Sequence, residues 1–413
     1  MKFEDFGIDP EIVKSIQKLG FKRPTDIQYK SIPPILKGED VLAIAQTGTG
    51  KTAAFAIPVL HVLGRKKIAK RADGVKCIVM VPTHELASQI TEVFEQIGKH
   101  SGLKSYCIFG GVKQDPQIAR LEKGVDILVA TPGRMFDLVS QGHLRLNRVE
   151  ILILDEADHM LDLGFLKDIQ DMMRFLPKKR QTLFFSATID KKIKKLAYSL
   201  VTKPIRIQIS PKNPVARNVT HSVAFIQMDD KRFFLERVVQ ENPDSKILVF
   251  VRTKVRAERV CKAMERVGIK SMTIHSDKNQ QERFDALNQF RKKEVKMLIA
   301  TDVSARGIDI PNVDYVVNYD LPERSENYVH RVGRTGRGTQ KGFAVSFCSD
   351  EEKEVLSEIE EFLGKEIEVM TIDKSEYADT LDLTQEKIGD WKSLLLEDEK
   401  EQKQVKRKKK KKK

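Results

Sequence analysis

Short apolar runs, each flanked by segments with helical spacing, recur along this chain. In the first half the runs are Val41–Ala45, Cys77–Val81, Ile127–Ala130, Ile151–Leu154 and Thr182–Phe185. They are continuous rather than alternating, as strands buried on both faces should be. Segments such as Glu85–His100 and Lys191–Leu200 lie between them with apolar positions three and four apart, the period of a helix. This alternation predicts a parallel sheet covered on both sides. At Ser210-Pro211-Lys212-Asn213-Pro214 the pattern breaks, and two prolines among polar residues suit an exposed linker, set at 210–220. A second alternation follows, with strands expected at Ile247–Val251, Ser271–Ile274, Met297–Ala300, Val313–Asn318 and Phe343–Phe347. The expectation is therefore α/β, with two tandem domains at 1–209 and 221–365. The halves share an architecture but no strong sequence repeat. Beyond about Lys365 the strand signals stop, so 366–413 is read as a charged, disordered tail. Leu381–Glu399, around the single tryptophan Trp391, reads as a marginal amphipathic helix or as disorder.

Length agrees with two domains, since 413 residues exceed one ordinary core. No run approaches the ~18 apolar residues of a membrane span. Met1 to Pro10 contains no apolar stretch of the secretory kind. The four cysteines are scattered, without a Cys-x-x-Cys pair. That argues against zinc and disulfides and for a reducing, cytoplasmic setting. The formal charge is +14, and Lys406 to Lys413 are all basic. As structure, this end reads as a solvated arm; as function, it attracts polyphosphate without sequence preference. The remaining body is basic too, so nucleic acid leads the partner classes, and a monomer is the default.

Two signals specify chemistry. Ala45-Gln46-Thr47-Gly48-Thr49-Gly50-Lys51-Thr52 joins an expected strand to an expected helix, the context of a phosphate loop. Glycines let backbone N–H groups turn inward, and the helix N-terminus adds positive potential. Lys51 is placed to reach the β and γ phosphates of ATP, and Thr52 to ligate Mg²⁺. Alone, such a match is also what a glycine-rich turn looks like. Asp155-Glu156-Ala157-Asp158 then closes the run Ile151–Leu154. In a parallel sheet the C-terminal strand ends gather at one edge, so both signals meet there. Asp155 is the second metal-ligand candidate and Glu156 the group that activates water. The plainer reading of the acids is a helix cap.

Ser186-Ala187-Thr188 ends another apolar strand, where Ser186 and Thr188 could tie Asp158 to the neighbouring domain; read alone, they are ordinary helix caps. In the second half His330-Arg331-Val332-Gly333-Arg334-Thr335-Gly336-Arg337 sets three arginines around two glycines. Arginine grips phosphate oxygens with a rigid fork. Arg334 and Arg337 are candidate fingers for the γ-phosphate, and His330 is grouped with the interdomain residues. The alternative is a basic surface loop.

With these motifs in order, the chain resembles the DEAD-box ATP-dependent RNA helicases, most of all the bacterial RhlE-type subgroup, from about Phe3 to about Leu363. The resemblance implies two tandem RecA-like domains. Gly20 to Gln28 looks like the family's adenine-sensing motif, with Gln28 reading the base and Phe3 and Phe21 beside it. Asp309 is implied in holding the nucleotide. Thr83, Gly110, Gly111, Thr131, Gly133 and Arg134 in the first domain, and Arg252, Gln280, Arg283 and Thr301 in the second, fall where the family contacts the RNA backbone, contacts that position without reading sequence. Departures are His84 and His159 where arginine is frequent, Ser276 for glycine and Ser304 for alanine; at His84 a phosphate contact is expected to be lost. The resemblance implies that ATP and single-stranded RNA close the domains, that closure bends RNA and opens short duplexes, and that hydrolysis releases it. Three rivals stay open: an ATP-gated RNA clamp, a DNA translocase, and a non-enzymatic module using its basic tail.

Overall fold

Aliphatic and β-branched residues fill the strands because both faces of each sheet are covered. The computed structural model describes residues 2–46, 48–65, 74–209, 215, 218–302, 313–336 and 341–385. They form two lobes, each a seven-stranded sheet with helices on its faces. The first lobe holds β1 (Val41–Ala45), β2 (Cys77–Met80), β3 (Ser105–Ile108), β4 (Ile127–Ala130), β5 (Ile151–Leu154), β6 (Gln181–Ser186) and β7 (Ile205–Ile209). Their order is β3-β4-β2-β5-β6-β1-β7, and every pairing is parallel.

The second lobe holds β8 (Val219–Phe225), β9 (Ile247–Phe250), β10 (Ser271–Ile274), β11 (Met297–Ala300), β12 (Tyr315–Asn318), β13 (Gly342–Cys348) and β14 (Glu368–Val369). Its order, β10-β11-β9-β12-β13-β8-β14, repeats the first with every strand advanced by seven. Consecutive residues of β1 enter opposite cores: Val41 and Ala43 join one apolar cluster, Leu42 and Ile44 the other. This is the period-two geometry of a strand. Parallel pairing requires helical crossovers, so all C-terminal strand ends of a lobe face one edge.

Four strands escape the apolar-run criterion. β3 and β7 lie at sheet edges and are only partly buried, β8 alternates buried and exposed positions over much of its length, and β14 has two residues. β8 begins at Val219, inside the expected linker. The tail expected from residue 366 is also corrected. After β14 a helix, Lys374–Gln385, packs on the helix Lys231–Glu241. Tyr377 stands 4.9 Å from Phe234 between ring centres, and its hydroxyl donates to Asp230 at 2.7 Å. Arg237 pairs with Glu376 at 2.5 Å. Trp391 and Lys406–Lys413 lie outside the described residues.

The lobes touch. Arg324 pairs with Asp162 at 2.7 Å, Phe109 faces Phe284 with ring centres 6.3 Å apart, and the helix starting at Gln280 meets the helix starting at His84.

Candidate active site

The phosphate loop leaves β1 after Ala45, which is itself buried in the strand. Gly48 and Gly50 have φ of +80° and +92°, a region closed to most side chains. Gly50 has a second reason: a Cβ there would lie 2.6 Å from Gln28 Nε2. The loop is held from three sides. Thr49 Oγ1 donates to the Gln46 carbonyl at 2.7 Å, Thr25 Oγ1 to the Thr49 carbonyl at 2.8 Å, and Gln28 Nε2 to the Gly50 carbonyl at 3.2 Å. Gln28 Oε1 accepts from the Thr25 N–H at 2.9 Å. Gln28, 1% exposed, gives one N–H to the loop and one oxygen lone pair to its own helix cap, and keeps a second of each for the adenine edge that the sequence reading gave it. Phe3 is core, packed edge-on against Phe21 at 6.3 Å. Thr47 lies outside the described residues.

Lys51 opens the helix Lys51–Gly64. Its ammonium is buried, with no hydrogen-bond partner among the described residues. A buried, unpaired ammonium is costly, and a polyphosphate satisfies it. Asp155 and Glu156 end β5 close by. Glu156 has φ +51° and ψ +48°, a left-handed conformation that costs a non-glycine residue free energy and clusters at functional sites. Its N–H donates to Asp155 Oδ1 at 3.0 Å. Burial raises the Asp155 carboxyl to about 6, against the pull of Lys51. Burial pushes Glu156 up as well, but His159, Lys51 and Arg334 outweigh it and bring it down to about 2. Glu156 is thus an anion at neutral pH, as a group that orients water must be. The His159 ring is 3.6 Å from it. The charge of Arg334 acts on Glu156 from the other lobe. With Thr52 and Asp155 offering oxygens beside Lys51, the residues present fit a magnesium–triphosphate pair.

Asp158 meets Thr188, one of its two expected partners, but within its own lobe. Its Oδ2 accepts from the Ala187 N–H (3.2 Å), the Thr188 N–H (3.1 Å) and Thr188 Oγ1 (3.2 Å). Ser186 Oγ is buried and unpartnered among the described residues. Asp158 and Thr188 nevertheless line a cleft of about 800 Å³ whose other wall carries Arg324, Asn327 and His330. Arg331 is a structural arginine. It clamps Asp302 through two bonds of 2.6 and 2.8 Å and donates to the Asp320 carbonyl at 2.6 Å. Arg337 and Asp309 lie outside the described residues, as does Ser304.

The expected RNA-contact residues divide into two groups. Thr83 and Thr131 are helix N-caps at C-terminal strand ends, where backbone N–H groups and the helix dipole favour phosphate. Gly110, Gly111, Gly133 and Arg134 occupy loop or helix-start positions near the same edge, and Thr301 follows β11 in the second lobe. Gln280 and Arg283 instead cross between lobes to Glu85, at 3.1 and 2.9 Å, and Arg252 pairs with Glu352 inside the second lobe at 3.1 Å. His84 bonds Gln280 of the other lobe at 2.7 Å. Glu85, which falls within the segment resembling an RNA-contact motif, was given no role of its own by the sequence reading. The signal for it was an acid on the buried face of an amphipathic helix.

Comparison with known proteins agrees with this geometry. A family model described as DEAD/DEAH box helicase matches residues 25–196, and one described as helicase conserved C-terminal domain matches 230–339. The ATP-dependent RNA helicase RhlB of Shewanella frigidimarina is 39% identical over 384 residues, 92% of this chain and 88% of that protein. The structure of S. cerevisiae Dbp5 bound to RNA and ADP BeF3 superposes with a TM-score of 0.81 at 30% identity, over 94% of this chain and all of that one. A DEAD box protein from Methanococcus jannaschii is 35% identical over 90% of this chain and 99% of its own, yet its TM-score is 0.52.

Proposed function

This chain belongs to the DEAD/DEAH-box helicases, and from that premise we propose that it is an ATP-dependent RNA helicase whose lobes close on ATP and a single RNA strand. One observation carries the reading: in one lobe the Lys51 ammonium has no hydrogen-bond partner among the described residues, and the Glu156 carboxylate near it feels the charge of Arg334 from the other lobe. A nucleotide site completed by two lobes turns over only when they meet. The better superposition on a structure bound to RNA and nucleotide than on a more identical one supports a closed arrangement of the lobes here.

In this reading Lys51 neutralises the β and γ phosphates while loop N–H groups orient them. Thr52 and Asp155 would hold Mg²⁺, which when bound would shield the charge between phosphates. Glu156, held low in pKa and fixed by its left-handed backbone, orients the attacking water. Arg334 stabilises charge on the transferred phosphoryl group, a role worth ~10³-fold or more in rate; Arg337 is its proposed companion. Asp158, Thr188 and His330 line the cleft through which closure is sensed. Thr83, Gly110, Gly111, Thr131, Gly133, Arg134 and Thr301 form the proposed RNA track, and Asp309 and Gln28 stay with the nucleotide, Gln28 by holding the loop. Placement among the RhlE-type enzymes is likewise a proposal, resting on the motif set; the relative compared above carries a different subgroup name. Among the described residues no helix is long and apolar enough to cross a membrane; a cytoplasmic setting is proposed on the four free, scattered cysteines, which suit a reducing compartment.

The test is ATP hydrolysis with no nucleic acid, with RNA and with DNA of the same sequence, beside strand displacement on a short RNA duplex. RNA should stimulate turnover at least tenfold and DNA far less. Equal rates in all three would end the reading. Stimulation without displacement would favour the clamp.

A further inference from the structure

The helix His84–Ile97 of the first lobe and the helix Gln280–Arg291 of the second meet at their N-termini. His84 sits in the contact. Its ring stacks on Phe109, with centres 5.0 Å apart and planes 22° from parallel, and Phe109 in turn faces Phe284 of the other lobe. The His84 Nδ1 is 2.7 Å from Gln280 Oε1. Gln280 donates its Nε2 to Glu85 Oε1, so its oxygen is the acceptor and His84 carries its proton on Nδ1. Arg283 reaches the same Glu85 oxygen. Gly111, at φ +73°, fits against both partners: a Cβ there would come within 3.6 Å of His84 Cε1 and 4.0 Å of Gln280 Cβ.

We infer that His84 is a positioning residue for lobe closure, a neutral imidazole latch that locks on Gln280 and Phe109 when the lobes come together. It acts through the interlobe contact and touches neither nucleotide nor reacting atoms. Burial holds its pKa below the ordinary value; the cations Arg134 and Arg283 act in the same direction, while the bond to Gln280 and the charge of Glu85 oppose them. Apart from Gln280, those are the charged groups facing it: Glu85 on its own helix, Arg134 from the helix Pro132–Ser140, and Arg283 from the second lobe. The sign follows. The closed state prefers the neutral ring, so the latch holds fully above the open-state pKa of about 6.5 and weakens as pH falls below it.

The inference rests on the proposed function, because it needs RNA and ATP to close the lobes. The experiment uses the full chain with one fluorophore per lobe, ATP and oligo-uridine RNA, titrated at pH 8 and pH 5.8. Thermal melting of each variant verifies folding. His84→Ala and Gln280→Ala should each raise the RNA concentration for half-closure about fivefold, and the double variant no further, as for two ends of one bond. Maximal turnover at saturating RNA should change less than twofold. His84→Gln, which keeps an N–H donor but cannot titrate there, should close nearly as well as wild type at pH 8 and lose part of the acid weakening. His84→Arg should loosen closure. If the parent chain closes and the variants close like it, or if the single effects simply add, the latch is wrong and the function stands. Tighter RNA binding by His84→Arg with a steeper salt dependence would make position 84 a phosphate contact and overturn the latch. A parent chain that never closes overturns both.

Discussion

Two lysines at equivalent places in the two lobes have opposite fates. β1 and β8 hold the same position in their sheets, and each feeds a helix whose first residue is a buried lysine, Lys51 or Lys231. Before Lys51 the chain supplies Gly48 and Gly50, and the ammonium has no protein partner among the described residues. Before Lys231 it supplies Asp229 and Asp230, and the ammonium is ion-paired with Glu352 and donates to the Tyr319 carbonyl at 2.9 Å. Burial lowers the Lys231 pKa while Glu352 pulls it back. One fold thus makes a ligand site in one lobe and a sealed ion pair in the other. The difference lies in whether the fold itself supplies the counter-charge.

The comparison can be broken most decisively at Glu156. Glu156→Gln keeps the shape of the first lobe's site and removes its base. Turnover should fall by roughly 10²–10⁴-fold with ATP affinity kept, checked by single-turnover hydrolysis beside nucleotide titration. Normal turnover would take Glu156 out of the mechanism.

Next come the lysines themselves. Lys51→Ala should abolish ATP binding and leave the melting temperature unchanged or higher, since it removes a buried charge that has no partner among the described residues. Lys231→Ala removes one of the two cations on buried Glu352, leaving Arg252 at 3.1 Å, and should cost about 3 kcal/mol of stability, the low end for a broken buried pair, measured by urea unfolding. The two variants trading these outcomes would refute the contrast drawn between them.

A smaller effect concerns acid. His221 is buried against the Tyr328 hydroxyl, 2.9 Å from its Nδ1, and burial lowers its pKa to about 4. The folded state favours the neutral ring, so its contribution is intact above about 6.5 and is lost as pH falls toward 4, on the order of 2–3 kcal/mol in the second lobe. His221→Gln should flatten stability against pH over that window. An unchanged slope would exclude His221 as the source. The smallest effect is expected from removing Lys406–Lys413: RNA affinity drops a few-fold and its salt dependence flattens, while RNA-free hydrolysis is untouched. An unaltered salt slope would mean that the arm stays off the RNA.

Much of this was legible in the chain. β1, β4, β5 and β11 lie where their apolar runs do, because a strand covered on both faces needs nothing but apolar side chains. The phosphate loop and Asp155-Glu156 were legible because their chemistry is local: glycines beside a lysine at a helix start, acids at a strand end. Edge and half-exposed strands such as β7 and β8 were not, since exposed positions carry no pattern to read. Nor was the continuation of the second lobe past residue 366, where Tyr377 and Glu376 bind by single side chains.

What the sequence alone determined is the identity of each lobe and the chemistry on its upper edge. What tertiary structure decided is who answers whom across the gap: Gln280 and Arg283 turning from the expected track to Glu85, Asp158 bonding within its own lobe, Gln28 bracing the loop, and Lys231 sealed while Lys51 stays open. A polar side chain acquires its role from the partner that burial brings to it, and partners nearly two hundred residues apart leave no mark on either segment.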